Sequence, residues 1–211
     1  MVISLGAYLA TLAAVGAERI VELLISARHT RAALARGAVE AGAGHYPAIA
    51  AFHVLFIACC GGEAIVFGRE FPPSLGWIAL FGAACAQALR YWAVTTLGER
   101  WNTRIIVWPG AAPLTSGPYR LIRHPNYLAV TVEMICVPMI YGCWRSAIVF
   151  SAGNAILLRI RIGAEEAALG AQYQQAFSAV PRLLPRLRRR VGDGGQVFPG
   201  RNDLRLFKPH K

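Results

Sequence analysis

The chain has 211 residues, of which 55% are hydrophobic and only 16% charged, with a formal net charge of +11. Soluble domains average about 25% charged residues, so this balance argues against an ordinary soluble enzyme and for a membrane protein of one domain. The basic excess sits in connections and tails beside apolar runs, where it sets topology and attracts anionic lipid, so nucleic acid is not the expected partner.

Five apolar segments follow one another, at about 3–25, 46–68, 75–97, 127–143 and 146–162. Each approaches the roughly 20 residues that a helix needs to cross the hydrocarbon. The first is read as a retained span: it lacks the basic start of a signal peptide and carries Glu18, Arg19 and Glu22. Spans four and five predict a tight hairpin with its turn near Trp144 and Arg145, and Pro138 is a candidate kink. The expected fold class is therefore all-α, a polytopic bundle of about five transmembrane helices.

Arginine placement gives the orientation. Arg28, Arg31 and Arg36 lie in the first connection, and Arg100, Arg104, Arg120 and Arg123 in the third. The second and fourth offer only Arg69 and Arg145. The positive-inside rule then puts the N-terminus outside and the C-terminus in the cytoplasm, with a bacterial cytoplasmic membrane as the expected location. The third connection, 98–126, is too long and too rich in Trp and Ile for a plain loop, and predicts an ordered lid. Residues 167–179 read as an interfacial helix. Residues 1–191 read as one membrane domain, and 192–211 as a flexible basic tail. The five cysteines, Cys59, Cys60, Cys85, Cys136 and Cys143, lie inside apolar runs and read as small buried hydrophobes, with no metal set implied.

Two polar clusters interrupt this apolar pattern. The first is Gly117-Pro118-Tyr119-Arg120-Leu121-Ile122-Arg123-His124-Pro125-Asn126-Tyr127, and the second is Arg161-Ile162-Gly163-Ala164-Glu165-Glu166. Ionisable groups at a membrane boundary are costly and by default functional. Their charges differ in sign, which suits a ligand that carries both a carboxylate and a cation, as S-adenosylmethionine does. Aromatic faces at Tyr119 and Tyr127 suit its sulfonium. Singly, Arg123 also reads as a side chain snorkelling to the interface, and Arg161 with Glu165 as an i,i+4 surface pair. Jointly and in this order, they read as a cytoplasmic cofactor pocket.

The motif pair resembles the isoprenylcysteine carboxyl methyltransferase superfamily, from about residue 97 to 173. The resemblance implies an integral-membrane methyltransferase that uses S-adenosylmethionine. It implies cofactor contacts from Tyr119, His124, Pro125, Asn126 and Tyr127, to which the charge reading adds Arg123, and further ones from Pro113 and Leu114. Glu165 is implied to hold the cofactor amine, and Arg161 to steer the acceptor oxygen as the catalytic residue. Ala129 stands where the family usually has glycine. Thr103 stands near a position that is histidine in the eukaryotic carboxyl methyltransferases. The N-terminal half, with Arg28-His29-Thr30-Arg31, Gly37 to Gly42, His45-Tyr46-Pro47 and His53, is similar to a bacterial branch associated with type III polyketide synthases. That likeness implies an alkylpyrone or alkylresorcinol acceptor, a lipophilic small molecule reached from the membrane lipids. Methylation of a prenylated carboxylate or of a phospholipid is the enzymatic alternative, and a membrane accessory protein without catalysis is the other.

His45 and His53 are expected at the acceptor. His45, His53, Glu63 and Glu133 are candidate bases, each with a structural alternative, and His53 with Glu63 reads equally as a pair inside the bundle. Arg90 and the Glu18, Arg19, Glu22 group are expected to pair inside the bundle or in a wet crevice.

Overall fold

The computed structural model describes residues 3–42, 44 and 46–184. The expectations for His45 and for a tail over 192–211 lie outside these residues. Five helices dominate: α1 (Leu5–Ala35), α2 (Tyr46–Val66), α3 (Pro73–Leu97), α4 (Pro125–Met139) and α5 (Trp144–Ala176). Local chemistry sets their starts. Ser4 caps α1 by accepting from the Ala7 N–H at 3.2 Å. Proline stands in the first turn of α3 and of α4, where its missing N–H costs nothing.

The fourth helix is the hub, packed mainly between α3 and α5. Ala129, Met134 and Val137 on it are buried. The core continues through Tyr8, stacked on Tyr141 at 4.9 Å, and through Phe56 against Phe150 at 5.4 Å. Cys60 and Cys143 lie in this core, whereas Cys59 and Cys85 are exposed on the bundle's outside. The expectation that all five are buried is corrected for those two. Pro138 falls in the last turn of α4 and ends the helix rather than kinking it.

The outward faces are apolar on every helix. Ile20 and Leu24 on α1, Val54 on α2, Ile78 and Phe81 on α3, Ile135 on α4 and Ile156 on α5 are all exposed. By length and composition, α2 and α5 are the helices suited to crossing a membrane. The first and third helices carry inward-facing charges, and α4 spans only about 22 Å at 1.5 Å per residue.

Two features at one end of the bundle were not expected. Strands β1 (Val39–Ala41) and β2 (Ile105–Val107) pair antiparallel, with Val39 opposite Val107. They join the α1–α2 connection to the α3–α4 connection, so the lid is ordered as expected but built partly of sheet. The helix expected at 167–179 follows α5 with no connecting loop and is set off from it by a break at Gly170 (φ 72, ψ −166). That conformation is open essentially to glycine alone. The bend brings Tyr173 and Phe177 under Tyr119 and Ala93.

Candidate functional site

The ends of α1, α3 and α5, the starts of α2 and α4 and the lid enclose a cavity of about 990 Å³. Tyr119 is delivered by a 3-10 turn, Gly117–Arg120. Gly117 has φ +55, and a Cβ there would lie 2.7 Å from Thr96 Oγ1, so glycine alone lets the turn sit against α3. The Tyr119 hydroxyl donates to Ala93 O at 3.4 Å. Burial, then the charges of Glu165 and the neighbouring Tyr173, raise its pKa and keep it protonated.

The centre of the site is a three-residue chain across α4 and α5. The Tyr127 hydroxyl donates to Glu165 and accepts from Arg161 Nε at 2.8 Å. Arg161 and Glu165 therefore do not pair directly, as i,i+4 spacing predicted; the tyrosine stands between them. Arg161 Nη2 donates to the Thr103 carbonyl at 2.6 Å, tying α5 to the lid. The guanidinium also lies 5.8 Å from the centre of the Tyr127 ring, whose other neighbour is the stacked ring of His124 at 5.2 Å. Among the described residues Arg161 Nη1 has no hydrogen bond, which leaves it as the donor for a ligand.

Glu166, one residue on, has a different task. It accepts from Arg182 Nη2 at 2.6 Å, lies 3.2 Å from His124 Nε2, and has Arg123 Nη1 at 3.6 Å. Residues 180–182 run beside the motif, with Arg123 N donating to Pro181 O at 2.9 Å and His124 N to Arg182 O at 3.0 Å. Arg123 Nε donates to Val180 O at 2.7 Å. Arg123 and His124, expected as cofactor contacts, thus also form a clasp on the C-terminal segment. Burial pushes the Glu166 carboxyl up, but hydrogen bonds from Arg182 and His124 outweigh it and hold the pKa below the ordinary value.

Pro113, Leu114, Pro125 and Asn126, expected as cofactor contacts, all line the cavity. Five of the buried polar atoms without a hydrogen-bond partner belong to cavity-lining residues: Asn126 Oδ1, Trp101 Nε1, Trp108 Nε1, Arg90 Nε and Asn154 Nδ2. Unsatisfied buried polar groups are rare and costly, so their gathering around one cavity marks a place for a polar ligand. Across the mouth, Ser26, Thr30, Asn102, Thr103 and Tyr46 form a hydroxyl and amide cluster that sequence reading missed. Ser26 Oγ lies 2.6 Å from Asn102 Oδ1 and 2.7 Å from Thr103 Oγ1, and the latter donates to the Tyr46 hydroxyl at 3.3 Å. Ser26 and Thr30 stand one turn apart on α1, which was the available signal.

A second polar tier lies deeper. Seven residues, two turns or about 10 Å, separate Ser26 from Arg19 on α1, Tyr46 from His53 on α2 and Leu97 from Arg90 on α3. The same step separates Asn126 from Glu133 on α4 and Arg161 from Asn154 on α5. Neighbouring helices run in opposite directions, so each step leads from the mouth inward. In this tier Arg90 is paired with Glu133 and lies 3.6 Å from Glu22, and Arg19 is paired with Glu18, Glu22 and Glu133. The expected pairing inside the bundle is therefore present. His53, expected at the acceptor, belongs to this tier, two turns inward from the mouth. It does not pair with Glu63: its Nδ1 bonds Ile49 O at 2.9 Å. Glu63 sits at the far end, accepting from Ser146 N and Oγ at 2.7 Å and from Arg69 at 3.0 Å. It caps α5 and is too engaged to serve as a base.

A sequence profile of the isoprenylcysteine carboxyl methyltransferase (ICMT) family matches residues 77–171. That stretch holds α3, the lid, the motif and the Arg161–Glu166 cluster. The chain belongs to this family. It is also 35% identical over 153 residues to YpbQ of Bacillus subtilis (strain 168), described as uncharacterized, covering 72% of this chain and 90% of that protein. An uncharacterized protein of Haemophilus influenzae is 29% identical over 160 residues, covering 75% of this chain and 92% of its own length. Members of the ICMT family are membrane-integral methyltransferases that in general use S-adenosylmethionine.

Proposed function

We propose that this protein is an integral-membrane, S-adenosylmethionine-dependent O-methyltransferase acting on a lipophilic acceptor, with a polyketide-derived alkylpyrone or alkylresorcinol as the preferred class. The observation that carries the reading is the Glu165–Tyr127–Arg161 chain on the wall of a cavity that also holds unpartnered polar atoms. It presents a carboxylate, aromatic faces and a guanidinium together, the set a zwitterionic sulfonium and an oxyanion require. Asn126 Oδ1 and Trp108 Nε1 add one acceptor and one donor, so the residues present fit the cofactor.

When bound, S-adenosylmethionine supplies an electrophilic methyl group on a sulfonium. Glu165 receives the ammonium of the methionine end, and the Tyr127 hydroxyl holds that carboxylate in place. Arg161 is fixed by Tyr127 and Thr103 through two of its nitrogens, and Nη1 meets the acceptor oxygen. Negative charge on that oxygen would thereby be stabilised, and the oxygen held in one orientation. An enolic pyrone ionises readily and needs no strong base. The clasp and the lid exclude water from the mouth.

The apolar outer faces support a bundle in which all five helices cross the bilayer, α4 being shielded by its neighbours. The concentration of arginines at the cavity end supports placing that end in the cytoplasm, with the N-terminus outside. A screen with methyl-labelled cofactor against alkylpyrones, alkylresorcinols, prenylcysteine analogues and phosphatidylethanolamine tests the reading. Label is expected on the first two. Label on phosphatidylethanolamine alone overturns the acceptor class, and failure to bind either S-adenosylmethionine or its demethylated product in calorimetry overturns the enzyme.

A further inference from the structure

We infer that the deep tier is a second binding subsite, which takes a neutral oxygen function of the acceptor, keto or hydroxyl, about 10 Å from the oxygen that is methylated. This deepens the methyltransferase reading and takes from it that Arg161 marks the reacting oxygen.

Both tiers belong to one continuous cavity, so a single elongated molecule can touch both. Arg90 and Asn154 are each 3% exposed and line it, and each keeps a buried donor, Nε and Nδ2, without a partner. Buried donors call for an acceptor atom. Glue between helices accounts for the ion pairs of Arg19, Arg90, Glu22 and Glu133, which bind α1 to α3 and α4. It does not account for Asn154, which comes from α5 and joins none of these pairs.

Charge decides what the acceptor atom is. Three glutamates, at 18, 22 and 133, face two arginines, at 19 and 90. Both arginines are already held by these glutamates, so no cation is left over for a carboxylate or phosphate, while a cation offers nothing to the two idle donors. A neutral oxygen satisfies both conditions. His53 adds the complement: Ile49 O can only accept, so Nδ1 carries the proton and, in the neutral ring, Nε2 is an acceptor for a ligand hydroxyl.

The test is binding, measured apart from turnover. Full-length protein in lipid nanodiscs, with and without S-adenosylhomocysteine, is titrated with alkylresorcinols of equal chain length, either plain or carrying one keto group moved stepwise along the chain. The expected result is an optimum with the keto group about 10 Å from the ring hydroxyl, binding about tenfold tighter than the plain analogue. Asn154→Leu should remove that preference by weakening the keto analogue only. A flat dependence on keto position in the unaltered protein, no binding of any analogue, or a preference that survives Asn154→Leu overturns the subsite. Should the label-transfer screen be blank while the positional optimum persists, the methyltransferase reading fails and the subsite stands.

Discussion

The two ends of this bundle handle polar groups in opposite ways. At the far end, the Glu63 carboxylate accepts from Ser146, Arg145 and Arg69, and closes the start of α5. At the near end, Asn126 and the two lid tryptophans keep buried atoms unbonded, and the helices part around a cavity. The difference teaches where the fold is held and where it works. A charge placed at a helix N-terminus stabilises the far end, whereas the near end leaves its hydrogen-bonding capacity for a ligand.

The largest effect that would sharpen this contrast is at Glu63. Glu63→Ala removes the cap of α5 and leaves Arg69 without its carboxylate, a loss of about 3 kcal/mol of stability. Thermal unfolding in detergent should show it, and an unchanged midpoint would break the contrast. At the near end, Arg161→Ala should lower turnover about 100-fold, or about 2.7 kcal/mol in the barrier, while cofactor binding in calorimetry largely persists. Full activity in that variant would remove Arg161 from the chemistry. Gly170→Ala forces a side chain into a backbone region open to glycine, at about 1–3 kcal/mol, and should disturb the packing of Tyr173 under Tyr119. Reduced affinity for S-adenosylhomocysteine is the expected readout.

The smallest effect is pH dependence of the clasp. The folded-state pKa of Glu166 is lowered, so its contribution is fully present above the ordinary glutamate value and fades as pH falls through the lowered one. The protection of the Arg123 and His124 amides, relative to their intrinsic exchange rates, should therefore fall on acidification below about pH 4.3. Glu166→Gln should abolish this dependence, and exchange at those residues in Glu166→Gln should already be fast at neutral pH.

Much of this was legible because charge is costly in an apolar chain. The run from Tyr119 to Tyr127 and the Arg161–Glu165 pair announced themselves. What the sequence hid depends on partners brought from elsewhere. Three-residue strands such as β1 and β2 are too short for a period-2 pattern to register. That Glu63 would bond Ser146 rather than His53 depends on how α2 docks on α5. The role of Glu166 depended on Arg182, 16 residues further along the chain. The two tiers required the register between antiparallel helices, which no single helix contains.

The fifth helix runs about 39 Å before the break at Gly170, and it carries Asn154, Arg161, Glu165 and Glu166 in order. It acts as a ruler. Inserting one residue between 154 and 161 would swing everything beyond by about 100°, taking Arg161 off Tyr127 and Glu166 off the clasp together. The spacing between the two tiers therefore cannot drift by single residues; it is quantised by the helical repeat, and a relative suited to a longer acceptor would need whole turns added on every helix at once.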